Sequence, residues 1–276
     1  MRVPEHSVFG FVGKNGAGKT TTMKAILGLL EVDEGEIYVM GERVVFGKSA
    51  TNRHIGYLPD VPEFYSFMTP KEYLKLCGQS LGMSGGDIEQ RSAELLALVG
   101  LESENRRIKG FSRGMKQRLG IAGALLSRPK ILICDEPTSA LDPIGRKEIL
   151  DLLLAVREQT TVLFSTHILS DVERICTDVA LINEGKIARL GTVNELKSAN
   201  TEQKFTVEML DQQGASVLKK AFAEAKIIAP DTLAFSSTED KLFEVMDFIS
   251  KNKLSVSKIE RASTSLEDLF LEVVNK

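Results

Sequence analysis

Near the start of the chain, the stretch GKNGAGKT at positions 13–20 sets three glycines around a lysine and a threonine. Gly13, Gly16 and Gly18 let successive backbone N–H groups close around phosphate oxygens, where a Cβ would interfere. Lys19 is spaced to reach the β- and γ-phosphates of a nucleotide, and the Thr20 hydroxyl to reach Mg²⁺. Lys14, Asn15, Ala17 and Thr21 complete this binding segment. A second chemical group closes the run KILICDEP at positions 130–137. Asp135 is placed to hold a Mg²⁺ shell, and Glu136 to polarise a water for in-line attack on a γ-phosphate. Two acids before a proline also suit the polar end of a strand, so the upstream loop is what favours the chemical reading.

The elements around these groups must hold them together. A short apolar run at 8–12, a glycine-rich loop and a helical stretch from Lys19 to Leu30 make the strand–loop–helix context that a phosphate loop requires. GEIYVMGERVVF reads as two short strands turning near Gly41. Thr69-Pro70-Lys71-Glu72 carries an N-cap, a proline at the first helical position and a glutamate at the third. Helical patterns run on to Leu81 and from Asp87 to Val99, so residues 65–128 read as an inserted helical subdomain. KILICDEP is a buried parallel strand by its unbroken apolar run, Asp142-Pro143 starts a helix, and TTVLFSTH is a second buried strand. VALINEGKIARLG reads as a hairpin turning at Glu184-Gly185. A polar stretch then places a domain boundary near residue 200, ahead of a small strand–helix–strand-like segment that runs to residue 276.

Composition narrows the class. The 276 residues are 43% hydrophobic and 26% charged, which suits one large globular domain with a smaller appendage. A formal net charge of −3 gives no general attraction to nucleic acid, and no direct nucleic-acid binding is expected. Cys77, Cys134 and Cys176 form no CxxC pair and read as free thiols in a reducing compartment. No apolar run reaches the ~18 residues of a membrane-spanning helix, which points to a soluble, cytoplasmic chain.

Three further segments complete a set. FSRGMKQRL at 111–119, SALD at 139–142 and STH at 165–167 flank the Asp-Glu strand in order. With the loop upstream, they resemble the ATP-binding-cassette (ABC) ATPases, the nucleotide-binding subunits of ABC transporters, over about residues 5–200. The resemblance implies an α/β P-loop fold with a mainly parallel core sheet, an antiparallel β-subdomain and an inserted helical subdomain. It also implies a head-to-tail dimer that sandwiches two ATPs with Mg²⁺. Ser112, Gly114 and Met115, at a helix N-terminus, then face the partner subunit's γ-phosphate. His167 contacts the γ-phosphate and attacking water, and Asp142 belongs to the nucleotide-binding set while also suiting a helix N-cap. MSGGD at 83–87 looks closer to the family's usual LSGGQ, but lacks the Gln-Arg that should come after it. It reads instead as a loop before a helix capped by Asp87.

Two departures stand out. Arg113 replaces the signature's middle glycine, and Asp60, in GYLPD, stands where the family usually has a glutamine that contacts Mg²⁺. The tail, ending in SLEDLFLEVVNK, resembles the C-terminal extension of export-type members. The expected role is therefore the ATPase subunit of an exporter, peripheral on the inner membrane face and bound to a separate multi-span permease. The runner-up is a soluble ABC ATPase acting on ribosomes or DNA. Family members usually carry two more strands and an adenine-stacking aromatic upstream. Only twelve residues precede Gly13, so an N-terminally shortened chain is expected.

Overall fold

The computed structural model describes residues 1–199, 204–236, 239–262 and 266–274. They form two compact units, Met1–Val193 and Asn194–Lys276. In the first, β1 (Val8–Val12) is buried along its whole length, as its unbroken apolar sequence requires of a central strand. The phosphate loop links it to α1 (Lys19–Ile26), which stops short of the expected Leu30. A tight hairpin comes next, β2 (Tyr38–Val39) and β3 (Glu42–Arg43), whose turn residues Met40 and Gly41 have φ of 50° and 80°. Two positive φ values in a two-residue loop match the right-handed twist of the paired strands. Then come β4 (Ile55–Leu58), the helices α2 (Pro70–Ser80), α3 (Gly85–Leu98) and α4 (Arg113–Ala124), and β5 (Ile131–Asp135). The unit closes with α5 (Pro143–Val156), β6 (Thr161–Thr166), α6 (Leu169–Ile175), β7 (Asp178–Asn183) and β8 (Lys186–Thr192). The sheet order is β4-β5-β6-β1-β7-β8. All pairs are parallel except the β7–β8 hairpin, which turns at Glu184-Gly185. Because β1, β5 and β6 are parallel neighbours, the loops after all three leave the sheet at one edge. In such open sheets, that is where ligands bind.

Helix α7 (Val193–Ala199) leads into the second unit. There β9 (Lys204–Met209), α8 (Gln212–Ala221), β10 (Lys226–Ala229), β11 (Thr232–Ser236), α9 (Glu239–Lys251), β12 (Val256–Ala262) and α10 (Leu266–Val274) succeed one another in order. Its antiparallel sheet runs β10-β11-β9-β12. Alternate residues Phe205, Val207 and Met209 meet Leu218 of α8 and Val245 of α9 in a separate core. Within it Phe205 stacks on Phe235 at 4.8 Å. This is a fuller fold than the strand–helix–strand pattern expected from sequence.

The helical segment shows how local signals set element ends. Thr69 Oγ1 accepts from the Glu72 N–H while the Glu72 carboxylate accepts from the Thr69 N–H, and Pro70 opens α2. Helix α3 begins earlier than expected. Its cap is Ser84, whose hydroxyl accepts from the Asp87 N–H, so Asp87 sits inside the first turn and Gly85-Gly86 are helical. The Ser84 hydroxyl also donates to Asp87 Oδ2 at 2.6 Å, and this local pairing at the cap outweighs the two glycines. Helix α4 lies unusually close to β4. A Cβ on Gly56 would land on the Ala124 carbonyl, and one on Gly120 would sit 2.5 Å from Leu58 Cδ1. The two glycines thus fix how closely the C-terminal half of α4 packs on β4. Gly56→Ala should destabilise the protein by about 1–3 kcal/mol through overpacking against backbone, read as a lower denaturation midpoint. An exposed alanine control such as Lys75→Ala should not shift it.

Candidate active site

The phosphate loop is held from below by β7 and its hairpin. A Cβ on Gly13 would lie 2.6 Å from Ile182 Cγ2 and 2.7 Å from the Ile182 carbonyl, so only glycine fits. Ala17 O accepts from the Gly185 N–H at 3.0 Å. Gly18, at φ 104°, is the N-cap of α1 and offers no side-chain acceptor. Among the described residues, no bond claims the N–H groups of the first turn, which lies beside the exposed Thr20 and Thr21, with Lys14, Asn15 and Gly16 also exposed. Unpaired N–H groups at the positive end of a helix make an anion site. Lys19 is buried, and its ammonium donates to Gly13 O at 2.7 Å and Lys14 O at 3.2 Å.

Across the sheet edge, β5 ends in an abrupt change of direction. Asp135 is buried and its Oδ1 accepts from Ser165 Oγ at 2.5 Å. The next residue, Glu136, adopts φ 48°, a left-handed conformation that costs a non-glycine residue about 1–2 kcal/mol. Its carboxylate reaches two groups at once. Oε2 lies 2.9 Å from His167 Nδ1, so Nδ1 carries the proton of that pair. Oε1 lies 3.1 Å from the Lys19 ammonium. The direction is wrong for a hydrogen bond, which leaves this buried oxygen as an ion-pair partner with an unused acceptor. An unsatisfied buried acceptor facing a phosphate loop suits a bound water. Among the described residues, no three His, Cys, Asp or Glu side chains converge on a metal position. Asp135 and the Thr20 hydroxyl nevertheless fit the sparse protein share of a Mg²⁺ that arrives with phosphate.

The two departures from the family pattern turn out to be partners. Arg113 Nη2 donates to Asp60 Oδ1 at 3.1 Å, and the buried Gln117 donates to the Asp60 carbonyl at 2.7 Å. Burial pushes the Asp60 carboxyl above its ordinary value. The Arg113 guanidinium opposes this, while the nearby Glu136 and Asp135 carboxylates add to it. The signature residues stand apart. Ser112 caps α4 through the Met115 N–H at 3.2 Å, leaving Gly114 in the first turn, and Asp142 caps α5 through the Gly145 N–H at 3.3 Å. Among the described residues, no hydrogen bond or ion pair joins Ser112, Gly114, Met115 or Asp142 to residues 13–21. Three supporting residues escaped the sequence reading: Ser165, Gln117 and Asp171. Asp171 is buried, accepting from Thr138 Oγ1 at 2.8 Å and Arg146 Nε at 2.5 Å, and so ties the SALD turn to α6. For Ser165 the available signal was a hydroxyl directly after the apolar run 162–164, two residues before His167.

With this geometry in place, comparison with known proteins identifies the family. Residues 1–139 match the family model described as ABC transporter. The chain belongs to the ABC transporter family. The ATP-binding protein YxlF of Bacillus subtilis is 38% identical over 100% of this chain and 92% of its own length. The bacitracin transport ATP-binding protein BcrA of Bacillus licheniformis is 36% identical over 99% of this chain and 90% of its own. Among solved structures, an ATP-binding subunit of an ABC transporter is 33% identical, with a TM-score of 0.64 over 72% of this chain and 84% of that one. The structure of cbiO1 from Clostridium perfringens, part of the ABC transporter complex cbiONQ, gives 25% and 0.67 over 80% and 85%. This ABC chain is thus an ATP-binding ATPase subunit with the α/β fold of its family.

The Asp60–Arg113 pair yields a direct test in this ATPase. Arg113→Gly leaves the Asp60 carboxylate uncompensated beside Glu136 and Asp135, and should weaken ATP binding by about 2- to 5-fold. The defect should shrink as pH falls, because protonating Asp60 removes the unpaired charge. Asp60→Gln combined with Arg113→Gly should recover most of the loss. Calorimetric ATP titrations at several pH values check all three outcomes.

Proposed function

We propose that this subunit hydrolyses Mg²⁺-ATP in a head-to-tail dimer and drives an exporter whose membrane path lies in a separate multi-span permease. The observation that carries the reading is the Glu136 carboxylate, held between the Lys19 ammonium and His167 with one acceptor unused. In the proposed mechanism, phosphate oxygens replace the Gly13 and Lys14 carbonyls as partners of Lys19. The residue 13–21 backbone and the α1 N-terminus bind the phosphates. Glu136 aligns a water on the γ-phosphorus, and His167 steadies both Glu136 and the γ-phosphate. The bond to the β–γ bridging oxygen breaks, giving ADP and inorganic phosphate. Asp135, Thr20 and Asp60 are the side chains that would hold Mg²⁺, whose chemistry is to neutralise charge on the transferred group. Ser112, Gly114 and Met115 meet the ATP of the second subunit, with Asp142 beside them. Ser112 is exposed, Gly114 and Met115 are half-buried, and among the described residues none of the three bonds to residues 13–21, which supports this.

The permease face is proposed around Val61, Tyr65 and Phe67, which are 63%, 56% and 61% exposed. Val61 borders a groove of about 590 Å³ lined by Tyr57, Pro62, Tyr73, Cys77 and Gly123 among others. Large apolar side chains rimming a groove mark a protein contact. No helix of the described residues is long and apolar enough to cross a membrane. Similarity to a bacitracin transport ATP-binding protein supports the transport role; the export direction rests on the likeness of the tail to export-type members, and with it a place on the cytoplasmic side of the membrane. Residues 201–276 are proposed as a packing or dimer-contact module.

Two outcomes test the proposal. Glu136→Gln should keep ATP affinity, lower kcat by about 10²- to 10⁴-fold, and accumulate an ATP-dependent dimer visible by light scattering. Normal turnover would refute the catalytic role. Replacing Tyr65 and Phe67 together with glutamate should abolish co-purification of a multi-span chain from membranes while leaving ATP affinity intact; an unchanged yield of that chain would remove this face from the proposal.

A further inference from the structure

Strand β5 hands over to its loop at one hydroxyl. In the parallel register Asp135 lies directly across from Ser165 of β6, and there the β5–β6 ladder ends. Beyond that pair the backbone bends into the left-handed conformation of Glu136. That bend turns the Glu136 N–H away from the ladder, and the Ser165 hydroxyl accepts it at 3.0 Å. The same hydroxyl has one proton to give, and it goes to Asp135 Oδ1 at 2.5 Å. Ser165 is completely buried, so no solvent competes for either bond. Asp135 Oδ2 takes no hydrogen bond within the described residues, which leaves it as the free oxygen of a carboxylate whose rotation is locked. One side chain therefore sets the orientation of Asp135 and terminates the strand so that Glu136 points at Lys19 and His167.

We propose that Ser165 is a positioning residue for ATP hydrolysis, aiming the Asp135 carboxylate at the metal side of the site and holding the backbone turn that presents Glu136. This rests on the roles proposed above for Asp135 and Glu136. A valine or alanine at this position would extend the apolar run 162–164 equally well, yet would leave the Glu136 N–H without the Ser165 acceptor and Asp135 free to rotate. The serine is thus matched to the turn and not to the core. Groups that orient a metal-binding carboxylate commonly affect metal affinity as much as 10–100-fold.

The test measures ATP binding to the full chain by calorimetry during a Mg²⁺ titration, with a parallel arm in EDTA. Ser165→Ala should leave the metal-free ATP affinity unchanged and raise the Mg²⁺ needed for half-maximal effect by about 10-fold. Ser165→Thr, which retains the hydroxyl, should stay close to the parent. Asp135→Asn serves as the reference. If Asp135→Asn shifts the Mg²⁺ dependence and Ser165→Ala does not, the role of Ser165 is overturned while the reading of Asp135 survives. If Asp135→Asn has no effect, both fall. A metal-free affinity that drops in step with the Mg²⁺ effect, or a threonine variant as defective as alanine, would make Ser165 a packing residue only.

Discussion

The site depends on one ion pair, that between the Lys19 ammonium at the start of α1, just after the phosphate loop that follows β1, and the Glu136 carboxylate just after β5. These residues are 117 positions apart in sequence, separated by the whole helical segment, and they meet only because the sheet order is β5-β6-β1. The intervening strand contributes the other half of the arrangement. Its last residues, Ser165 and Thr166, bond to Asp135 and to the phosphate loop, and His167 comes at once after them. Three parallel strands thus deliver a cation, two carboxylates and an imidazole to one edge. The strained left-handed turn at Glu136 is tolerated because Ser165, Lys19 and His167 all engage the residue there.

Charge is the second constraint. Asp135 and Glu136 lie close enough to Asp60 for both carboxylates to oppose its ionisation, and the same edge is the one proposed to receive polyphosphate. Lys19 offsets Glu136 and Arg113 offsets Asp60, so the substitution of an acid for the family's usual glutamine comes with its own cation. Because Arg113 sits on α4, the pair also links the loop after β4 to the signature helix, alongside the bond from Gln117. The close approach enforced by Gly56 and Gly120 keeps that helix within reach.

Much of this was legible in the sequence because the signals are local. The phosphate loop, the Thr69–Glu72 capping box and the two-residue turns at Met40-Gly41 and Glu184-Gly185 each encode their geometry within a few residues. FSRGM was separable from MSGGD by the Lys116-Gln117-Arg118 run directly after it, although the helix after MSGGD is capped by Ser84 and not by Asp87. The features that stayed hidden required strand register or side-chain reach across the fold. Nothing near Asp60 announces Arg113, 53 residues away. Ser165 reads as one of several hydroxyl residues flanking an apolar run until the register sets it opposite Asp135. The left-handed turn at Glu136 carries no glycine to betray it, since the conformation is imposed by partners from other strands.

The central claim is that these strand ends assemble a hydrolytic site around Glu136. A crystal structure of the Glu136→Gln dimer with Mg²⁺ and ATP addresses it most directly. The account predicts Lys19 on the β- and γ-phosphates and the metal beside Thr20 and the Asp135 oxygen not bonded to Ser165. It also predicts an ordered water between residue 136 and the γ-phosphorus, in line with the bridging oxygen. A metal held elsewhere, or a residue 136 side chain turned away from the γ-phosphate with no water in line, would contradict it.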